Sequence, residues 1–237
     1  MSDTIRYAVH GHVGEITLDD GKVNAMSLPF FEGLNAALDR AEAEKPLAVV
    51  VTGRDGVFSA GLNLKVLPTL PPDELRRTMI AFGRTMLRVF TFPIPTVAAV
   101  SGHAVAGGAI LMLACDLRHA ADGPFRIHLN EVAIGLALPS WAIAVAHSAI
   151  PSRWHTEAIL HARLYGPADA LERGIVDAVV PPERLLESAR AAAAALAPLD
   201  QTAYAISKQR HRAMEVAFVS DLLEKEIAAL PSRAAIR

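Results

Sequence analysis

Two glycine-containing segments of the chain could present free main-chain N–H groups to a ligand. The first covers residues 49–65 and reads VVVTGRDGVFSAGLNLK, and the second covers residues 96–109 and reads TVAAVSGHAVAGGA. In each, a strand-like run leads into small residues and glycine, which let a ligand approach the main chain. N–H groups at a helix start point outward and carry partial positive charge, and two converging on one oxygen would stabilise an oxyanion. Taken alone, each segment is explained more simply by glycines that permit tight packing.

One carboxylate stands out because its neighbourhood carries no other charge. Glu131 is the only formally charged residue between Arg126 and Arg153, and it follows Leu129 and Asn130. A carboxyl group in so apolar a setting is expected to have a raised pKa, which suits proton transfer. A surface glutamate that ends a strand is the alternative interpretation, and we favour the catalytic one.

Other known catalytic or binding motifs are incomplete here, because each lacks a residue that it requires. Gly102 and Gly107 have the spacing of a phosphate loop, but the Lys and Ser or Thr that must follow are missing. Ser59 lacks the glycine two residues earlier that a hydrolase nucleophile elbow needs, and no G-x-G-x-x-G follows a strand. The single cysteine, Cys115, excludes a disulfide scaffold, and with no H-E-x-x-H we predict no metal site.

Length and composition limit the classes of protein that remain possible. The chain has 237 residues, 52% of them hydrophobic, and a net charge of −2, so nothing favours a nucleic-acid or anionic-membrane partner. Its start lacks the blocks of a signal peptide, so we predict a cytoplasmic protein. Residues 89–115 and 132–152 are uncharged and long enough to span a bilayer. Their glycines and prolines instead favour strand, turn and helix in succession, which indicates buried α/β core and no membrane partner.

The hydrophobic pattern alternates between strand and helix periods. A loop is predicted at residues 54–65, and a helix follows an N-cap at Ser27. Further strands are predicted at residues 5–9, 13–18, 48–52, 96–100, 117–120 and 125–129. Further helices are predicted at residues 73–90, 109–115, 140–149, 152–161, 167–173, 182–196 and 202–230. This alternation indicates an α/β fold with largely parallel pairing, and the nearly all-helical last third looks like an appendage for oligomerisation.

Taken together and in order, these segments resemble the signatures of the crotonase, or enoyl-CoA hydratase/isomerase, superfamily. The first segment is similar to its F-(S/C/A)-(A/G)-G-x-(D/N)-L pattern. The second, opened by Pro95 and closed by CDLR at residues 115–118, is similar to P-x-(I/V)-A-A-(V/I)-x-G-x-A-x-G-G-(G/A). VNAM at residues 23–26 resembles the family's early (L/V)-N-A-(L/M), and residues 170–181 resemble its later A-x-x-x-G-(L/I)-V-(D/N)-x-V-V-P. The resemblance spans nearly the whole chain and keeps its order.

The resemblance implies a fold, a substrate class and an assembly. Residues 1–180 would form a crotonase-like spiral of β-β-α turns with an acyl-CoA site, and residues 181–237 a helical region that builds a homotrimer or a dimer of trimers. Coenzyme A would be part of the substrate, and no separate cofactor is implied. The thioester oxygen would lie between the N–H groups of Leu62 and Gly107. Ala106 stands where the family often has glycine, which costs little if its φ is negative.

The resemblance also suggests residues that bind the substrate. Ala25, Ala60 and Lys65 match positions similar to the family's adenine and phosphate contacts, although Lys65 is equally well explained as a solvated lysine. Trp141 either walls the acyl pocket or is simply part of the core. The family's basic C-terminal end touches a neighbour's CoA, and that contact is expected to be altered here, where the sequence ends at residues 236–237.

The acid–base residues decide the reaction. Hydratases of this family use two glutamates, and the position that resembles the first holds Ile110, which cannot move a proton. The second falls in the N-E-x-x-x-G segment at residues 130–135, so Glu131 remains. One carboxyl group can take a proton from C2 of a 3-enoyl-CoA and return it at C4. Residues 130–141, with Asn-Glu and a later Pro-x-Trp, resemble the Δ3,Δ2-enoyl-CoA isomerase branch.

We therefore predict an enzyme, a Δ3,Δ2-enoyl-CoA isomerase-like protein with Glu131 as its sole acid/base. Two alternatives remain open from the sequence. One is an enoyl-CoA hydratase or another crotonase chemistry, with a replacement for Ile110 supplied elsewhere in the fold. The other is a non-catalytic acyl-CoA-binding protein.

Overall fold

The strands form where short runs of β-branched and small apolar residues occur. The structure is a computed structural model, and it describes residues 4–228. In chain order the strands are β1 (Ile5–His10), β2 (Val13–Leu18), β3 (Ala25–Met26), β4 (Ala48–Thr52), β5 (Gly56–Ser59), β6 (Gly61–Leu62), β7 (Thr96–Val100), β8 (Gly102–Val105), β9 (Leu117–Ala121), β10 (Ile127–His128) and β11 (Ala178–Val180).

The helices form where apolar residues recur at helical spacing over longer segments. These are α1 (Leu28–Glu44), α2 (Pro72–Phe90), α3 (Gly107–Ala114), α4 (Ser140–Ala149), α5 (Pro167–Glu172), α6 (Leu185–Ala195) and α7 (Gln201–Ala228). Ser27 stands at the N-cap position of α1, although its side chain makes no capping hydrogen bond. Within residues 4–228, none of the helices combines the length and the hydropathy that crossing a bilayer requires.

A six-stranded sheet organises the molecule. Its strand order is β1-β2-β4-β7-β9-β11, with β1 and β2 forming an antiparallel hairpin and every other neighbouring pair parallel. Strands β4 and β7 are buried along their whole length, as expected of parallel strands covered on both faces. The predicted α/β fold with largely parallel pairing is confirmed.

Two smaller sheets complete the architecture. One has the order β10-β8-β5 and the other pairs β3 with β6, and all of these pairs are parallel. Four times the chain passes from a strand of the large sheet through a small sheet to a helix: β2-β3-α1, β4-β5-β6-α2, β7-β8-α3 and β9-β10-α4. This is the spiral of β-β-α turns that the family resemblance implies.

The side chains of β4 alternate between the two faces of the large sheet. Val49 and Val51 join the main core, which contains the buried apolar side chains of α1, α2 and α3, whereas Val50 joins a second cluster. In this second cluster Leu185 and Ala189 of α6 pack against the sheet. Helix α7 packs on α2 and α4. The helices that follow residue 180 therefore cover the sheet and the helical layer of their own chain. Their role in oligomerisation stays a prediction.

Several predictions of local structure are wrong. Residues 54–65, predicted as a loop, contain β5 and β6. Residues 102–105 and 178–180, for which no element is predicted, form β8 and β11. Residues 152–161 form a 3₁₀ turn followed by a π-helical turn in place of a regular helix. These short strands pair with distant segments, so the local sequence carries little signal of them.

Other predicted elements agree with the structure to within a few residues. The strands at residues 5–9, 13–18, 48–52, 96–100 and 117–120 are confirmed, and so are the helices α1, α2 and α4. The strand predicted at residues 125–129 is reduced to β10. The last predicted helix corresponds to α7, but residues 229–230 and the chain end at residues 236–237 lie outside the described residues.

A buried ion cluster fixes α7 to the end of α3. Asp116 accepts a hydrogen bond from Lys208 Nζ at 2.6 Å, and Arg212 Nη2 lies 2.9 Å from its second carboxylate oxygen. Asp116 also accepts hydrogen bonds from the N–H and the hydroxyl of Thr96, at 2.8 and 3.0 Å. Burial alone would raise the pKa of Asp116, but the two cations and these hydrogen bonds outweigh burial and hold that pKa below its usual range.

Asp116→Asn should lower the free energy of unfolding by about 3–5 kcal/mol, because Lys208 and Arg212 would stay buried without a counter-charge. Chemical denaturation at neutral pH measures the loss. As the matched control, Glu44→Gln removes the exposed Arg40–Glu44 pair and should cost no more than about 1 kcal/mol. Equal losses in the two variants would contradict the role given to the buried cluster.

Candidate active site

A cavity of about 400 Å³ lies where β6, the start of α3 and the segment after β10 meet. It brings together Leu62 of β6, Gly107 and Ile110 of α3, and Glu131. Ala60, directly before β6, also lines it. The α2 side of the wall consists of Leu64, Leu67, Pro68, Leu70, Leu75, Met79 and Phe82. The other side is completed by Ala106, Asn130, Ile134, Gly135, Leu136, Ala137 and Pro139.

Leu62 contributes a main-chain N–H that β6 does not direct at its partner strand. The next residue, Asn63, donates its N–H to the carbonyl of Met26 in β3 at 2.9 Å. Successive N–H groups of an extended strand point to opposite sides, so the Leu62 N–H points away from β3. The expectation that both candidate N–H groups lie at helix starts is therefore wrong for Leu62, which is part of a short strand.

Gly107 contributes its N–H from the first residue of α3. The first N–H groups of a helix have no partner inside the helix, and they lie at the positive end of its dipole. The Ile110 N–H closes the first turn by donating to the Ala106 carbonyl at 3.0 Å. The Gly107 N–H is thus available to a ligand in the cavity, as the sequence predicts for a helix start.

Glycine is required where the two segments touch. Gly61 has a φ of +78°, and a methyl group built on it would lie 2.7 Å from Gly107 N and 2.9 Å from Val105 O. A methyl group on Gly108 would lie 2.1 Å from Ser59 O. The main chains of the two segments therefore pack directly against each other. Because of this contact, Leu62 and Gly107 line the same cavity, in an arrangement that can stabilise an oxyanion.

Ala106 carries strain at the point where β8 turns into α3. Its φ is +50° and its ψ is −122°, so the condition under which alanine would cost little here, a negative φ, is not met. A non-glycine residue held in such a conformation costs about 1–3 kcal/mol, and this strain persists only where the surrounding structure enforces it. The turn at Ala106 leads directly into the start of α3, and both Ala106 and Gly107 line the cavity.

A buried polar network, which sequence reasoning missed, holds the Gly61 side of the site. The hydroxyl of Ser59 accepts a hydrogen bond from the Gly61 N–H at 3.1 Å and donates one to the Asn24 carbonyl at 2.7 Å. The Asn24 side-chain amide donates to the Phe58 carbonyl at 3.0 Å. The VNAM motif carried a signal for Asn24, but its contacts are set by pairing across the fold, which the sequence does not display.

Glu131 is the one ionisable side chain among the described residues that line the cavity. Its Oε2 atom is buried and, within the described part of the chain, has no hydrogen-bond partner, and the same holds for Oδ1 of Asn130. Burial raises the pKa of Glu131 above the ordinary glutamate value, as expected from the sequence. Ile110 faces the same cavity and offers no proton. Within residues 4–228, no group of three or more His, Cys, Asp or Glu side chains is arranged to hold a metal ion.

Three of the residues that resemble substrate contacts do not line the cavity. Ala25 pairs with Gly61 across β3 and β6, and its N–H donates to the Asp20 carboxylate at 3.2 Å. Lys65 is exposed, three residues after Leu62. Trp141 is buried and packs edge-on against Phe82, with ring centroids 4.8 Å apart, so it lies behind the cavity wall.

Comparison with known proteins agrees with this arrangement. The profile of the enoyl-CoA hydratase/isomerase family matches residues 9–229. A Thermus thermophilus protein with a provisional enoyl-CoA hydratase name is 37% identical over 204 residues, 84% of this chain and 80% of that protein. Human mitochondrial enoyl-CoA delta isomerase 1 is 35% identical over 175 residues, 73% of this chain and 58% of the human protein. The crystal structure of an enoyl-CoA hydratase/isomerase family protein from Pseudomonas syringae has a TM-score of 0.92 at 33% identity, covering 97% of this chain and 99% of that one.

The chain belongs to the enoyl-CoA hydratase/isomerase family. Its crotonase-like spiral, expected from the sequence motifs, is confirmed by the structural match. It is an acyl-CoA enzyme of that family.

Ala106→Gly should raise the free energy of unfolding by about 1 kcal/mol, since relief of about 1–3 kcal/mol of strain exceeds the entropy cost of glycine. Thermal or chemical denaturation measures the gain. Ala109→Gly, in the regular part of α3, is the matched control and should instead lose about 1 kcal/mol or more. Destabilisation of similar size in both variants would show that Ala106 is not strained.

Proposed function

We propose that the protein is a Δ3,Δ2-enoyl-CoA isomerase, which moves a double bond from C3–C4 to C2–C3 of an acyl-CoA thioester. The observation that carries this proposal is the composition of the cavity. Two main-chain N–H groups border a space in which, among its described lining residues, Glu131 is the only side chain able to exchange a proton. The similarity to human enoyl-CoA delta isomerase 1 supports the same activity.

The reaction uses these groups in sequence. The thioester oxygen accepts hydrogen bonds from the N–H groups of Leu62 and Gly107. The Glu131 carboxylate removes a proton from C2, and the electron pair left behind spreads over a dienolate whose negative charge rests largely on the thioester oxygen. The same carboxyl group then returns its proton to C4, and the double bond forms between C2 and C3. Each N–H donor of this kind is typically worth about 2.7–4 kcal/mol in the transition state.

The surroundings of Glu131 fit this shuttle. A raised pKa brings the carboxyl group closer to the operating pH, where proton uptake and release are both accessible. Its Oε2 atom has no protein partner among the described residues that would have to be displaced before it accepts a proton. A cavity with apolar walls also strengthens the interaction of the two N–H dipoles with the developing charge.

The remaining contacts with substrate are part of the proposal and rest on the resemblance. Ala25 and Ala60 would border the adenine part of CoA, and the exposed Lys65 would meet a phosphate. Trp141 would act on the acyl pocket through Phe82, against which it packs.

Assembly into a homotrimer or a dimer of trimers, through the helical region at residues 181–237, is likewise proposed. Exposed apolar side chains on α7 are consistent with it, since Met214 is 83% and Phe218 68% exposed in the single chain.

Enoyl-CoA hydratase is the second candidate, and the name of the Thermus thermophilus relative favours it. Hydration requires a second group to hold the attacking water, and Ile110 cannot do so. A non-catalytic acyl-CoA-binding protein is the third candidate, and an unpartnered buried carboxylate in the cavity argues against it.

Incubating the protein separately with a 3-enoyl-CoA and a 2-enoyl-CoA separates these candidates. We expect the protein to convert the 3-enoyl-CoA into the conjugated 2-enoyl-CoA, and we expect it not to hydrate the 2-enoyl-CoA. Hydration of the 2-enoyl-CoA without isomerisation of the 3-enoyl-CoA would establish the hydratase and reject the isomerase. Turnover of neither substrate, combined with tight acyl-CoA binding, would favour the non-catalytic protein.

Glu131→Gln should lower kcat by about 10²–10⁴-fold, the usual contribution of a general acid–base group, and leave acyl-CoA binding nearly intact. Steady-state kinetics and isothermal titration calorimetry with a saturated acyl-CoA measure the two effects. Glu42→Gln, on the exposed side of α1, is the matched control and should keep full turnover. Unchanged turnover in Glu131→Gln would remove this carboxyl group from the mechanism.

The pH profile should show the raised pKa of Glu131. Because the base acts as a carboxylate, kcat/KM on a 3-enoyl-CoA should rise with pH through a limb that lies above the ordinary glutamate value of 4.5. Glu131 keeps its proton to a higher pH in the native state than in the unfolded chain. As the pH rises from the unfolded pKa to the native pKa, the unfolded chain ionises first, and the free energy of unfolding therefore falls. The Gln variant should therefore gain stability relative to the native protein over that window. A limb at or below 4.5 would contradict the account.

A further inference from the structure

We propose that Glu226, on the last helix α7, is a positioning residue of the active site. It holds the start of α4, which supports both the wall segment that begins at Glu131 and the aromatic packing beside Gly107. This inference deepens the proposed function and rests on it. It gives α7 a part in catalysis within its own chain, separate from any part in assembly.

The start of α4 has no capping side chain of its own. Pro139 stands at the N-cap position and makes no side-chain capping hydrogen bond, although the first N–H groups of a helix need acceptors from outside it. Glu226 supplies one from 86 residues away, since its carboxylate accepts the Ser140 N–H at 2.9 Å. The other carboxylate oxygen accepts the Ser140 hydroxyl. The helix dipole also favours a carboxylate at this end of α4.

The residue before Ser140 belongs to the cavity wall. Pro139 lines the cavity, and so do most residues of the segment that joins it to Glu131. This segment turns back on itself, and Ile134 within it is 40% exposed, so packing alone holds the segment weakly. The two hydrogen bonds at Ser140 fix the end of the segment that lies opposite to Glu131.

The residue after Ser140 supports the other half of the site. Trp141 packs edge-on against Phe82, with ring centroids 4.8 Å apart. The Phe82 ring in turn lies against Gly107, because a methyl group built on Gly107 would be 3.0 Å from it. Close-packed interiors transmit displacements, so a shift of the α4 start would disturb the packing beside the Gly107 N–H donor.

The end of α7 packs at the same place. A methyl group built on Gly83 of α2 would lie 2.4 Å from the Leu223 side chain and 3.1 Å from Trp141 Nε1. Leu223 is 3% exposed, so α2, α4 and α7 meet there in close contact. This contact sets the position of α7 and brings Glu226, three residues after Leu223, to Ser140.

Glu226→Ala should lower kcat on a 3-enoyl-CoA by about 10–100-fold, since a misplacement of about 1 Å in a site can cost about 10²-fold. KM should change by a smaller factor, because the cavity walls remain while the reacting groups lose their alignment. Glu226→Gln should keep most of the activity, since an amide can accept the Ser140 N–H and donate to its hydroxyl. Glu224→Ala is the matched control, because it removes the exposed pair with Arg84 and should keep full turnover.

The emission of Trp141 tests the positioning without turnover. The chain has two tryptophans, so Trp154→Phe leaves Trp141 as the only one. In that background Glu226→Ala should shift the emission to longer wavelength, because water would reach the buried ring, whereas Glu226→Gln and Glu224→Ala should not. This shift should appear even if the native protein fails to isomerise a 3-enoyl-CoA, which keeps the two proposals distinguishable.

A folded Glu226→Ala variant with native kcat, or with unshifted Trp141 emission, would overturn the inference. So would a loss of turnover in Glu224→Ala equal to that in Glu226→Ala. If Glu226→Ala does not fold, Ser140→Ala breaks the hydroxyl bond from the other end. It should lower kcat in the same direction by a smaller factor, and native kcat in that variant would then overturn the inference.

Discussion

The main-chain contact between Gly61 and Gly107 is the constraint on which the site depends. Two N–H groups stabilise a charge on one oxygen only if both reach it, and here they come from segments more than forty residues apart in the sequence. A side chain at position 61 would collide with Gly107 N, so glycine is the only residue that allows this approach. The nature of the residue at position 62 matters little by comparison, since the hydrogen bond comes from its main chain.

The strands around this contact hold the two segments in place. The small sheet aligns β5 with β8, and a methyl group on Gly102 would lie 1.9 Å from the Gly56 carbonyl carbon, so the same close approach recurs at the start of both strands. The register of this pair shifts between Val57 and Ser59, an irregularity of the kind that redirects a strand near a functional site. Strain at Ala106 and a buried carboxyl group at Glu131 both lower stability locally, and the large apolar core offsets these costs.

The sequence predicts well the strands and helices that follow from hydrophobic patterns over many residues. It predicts poorly the very short strands and the backbone angles of single residues. The hairpin, the central parallel strands and helices such as α1 and α2 follow from hydrophobic patterns over many residues. Strands of two to four residues, such as β6 and β8, exist because a partner far along the chain binds them, and no local pattern encodes that partner. The positive φ of Ala106 belongs to the same class, since tertiary contacts impose a conformation that alanine disfavours.

The same distinction applies to the candidate site. The order of the motifs indicates Leu62 and Gly107, and the absence of other charged residues nearby in the sequence indicates Glu131. The structure brings all three to one cavity. Ser59 and Asn24, which hold the Gly61 side, were missed because their hydrogen bonds join residues about 35 positions apart.

The most direct test is a crystal structure of the protein with bound octanoyl-CoA, a saturated compound that cannot isomerise. The account requires the thioester oxygen to lie about 3 Å from both Leu62 N and Gly107 N, with the Glu131 carboxyl group beside C2. A thioester oxygen bound elsewhere, or a Glu131 side chain on a wall that C2 does not face, would contradict it.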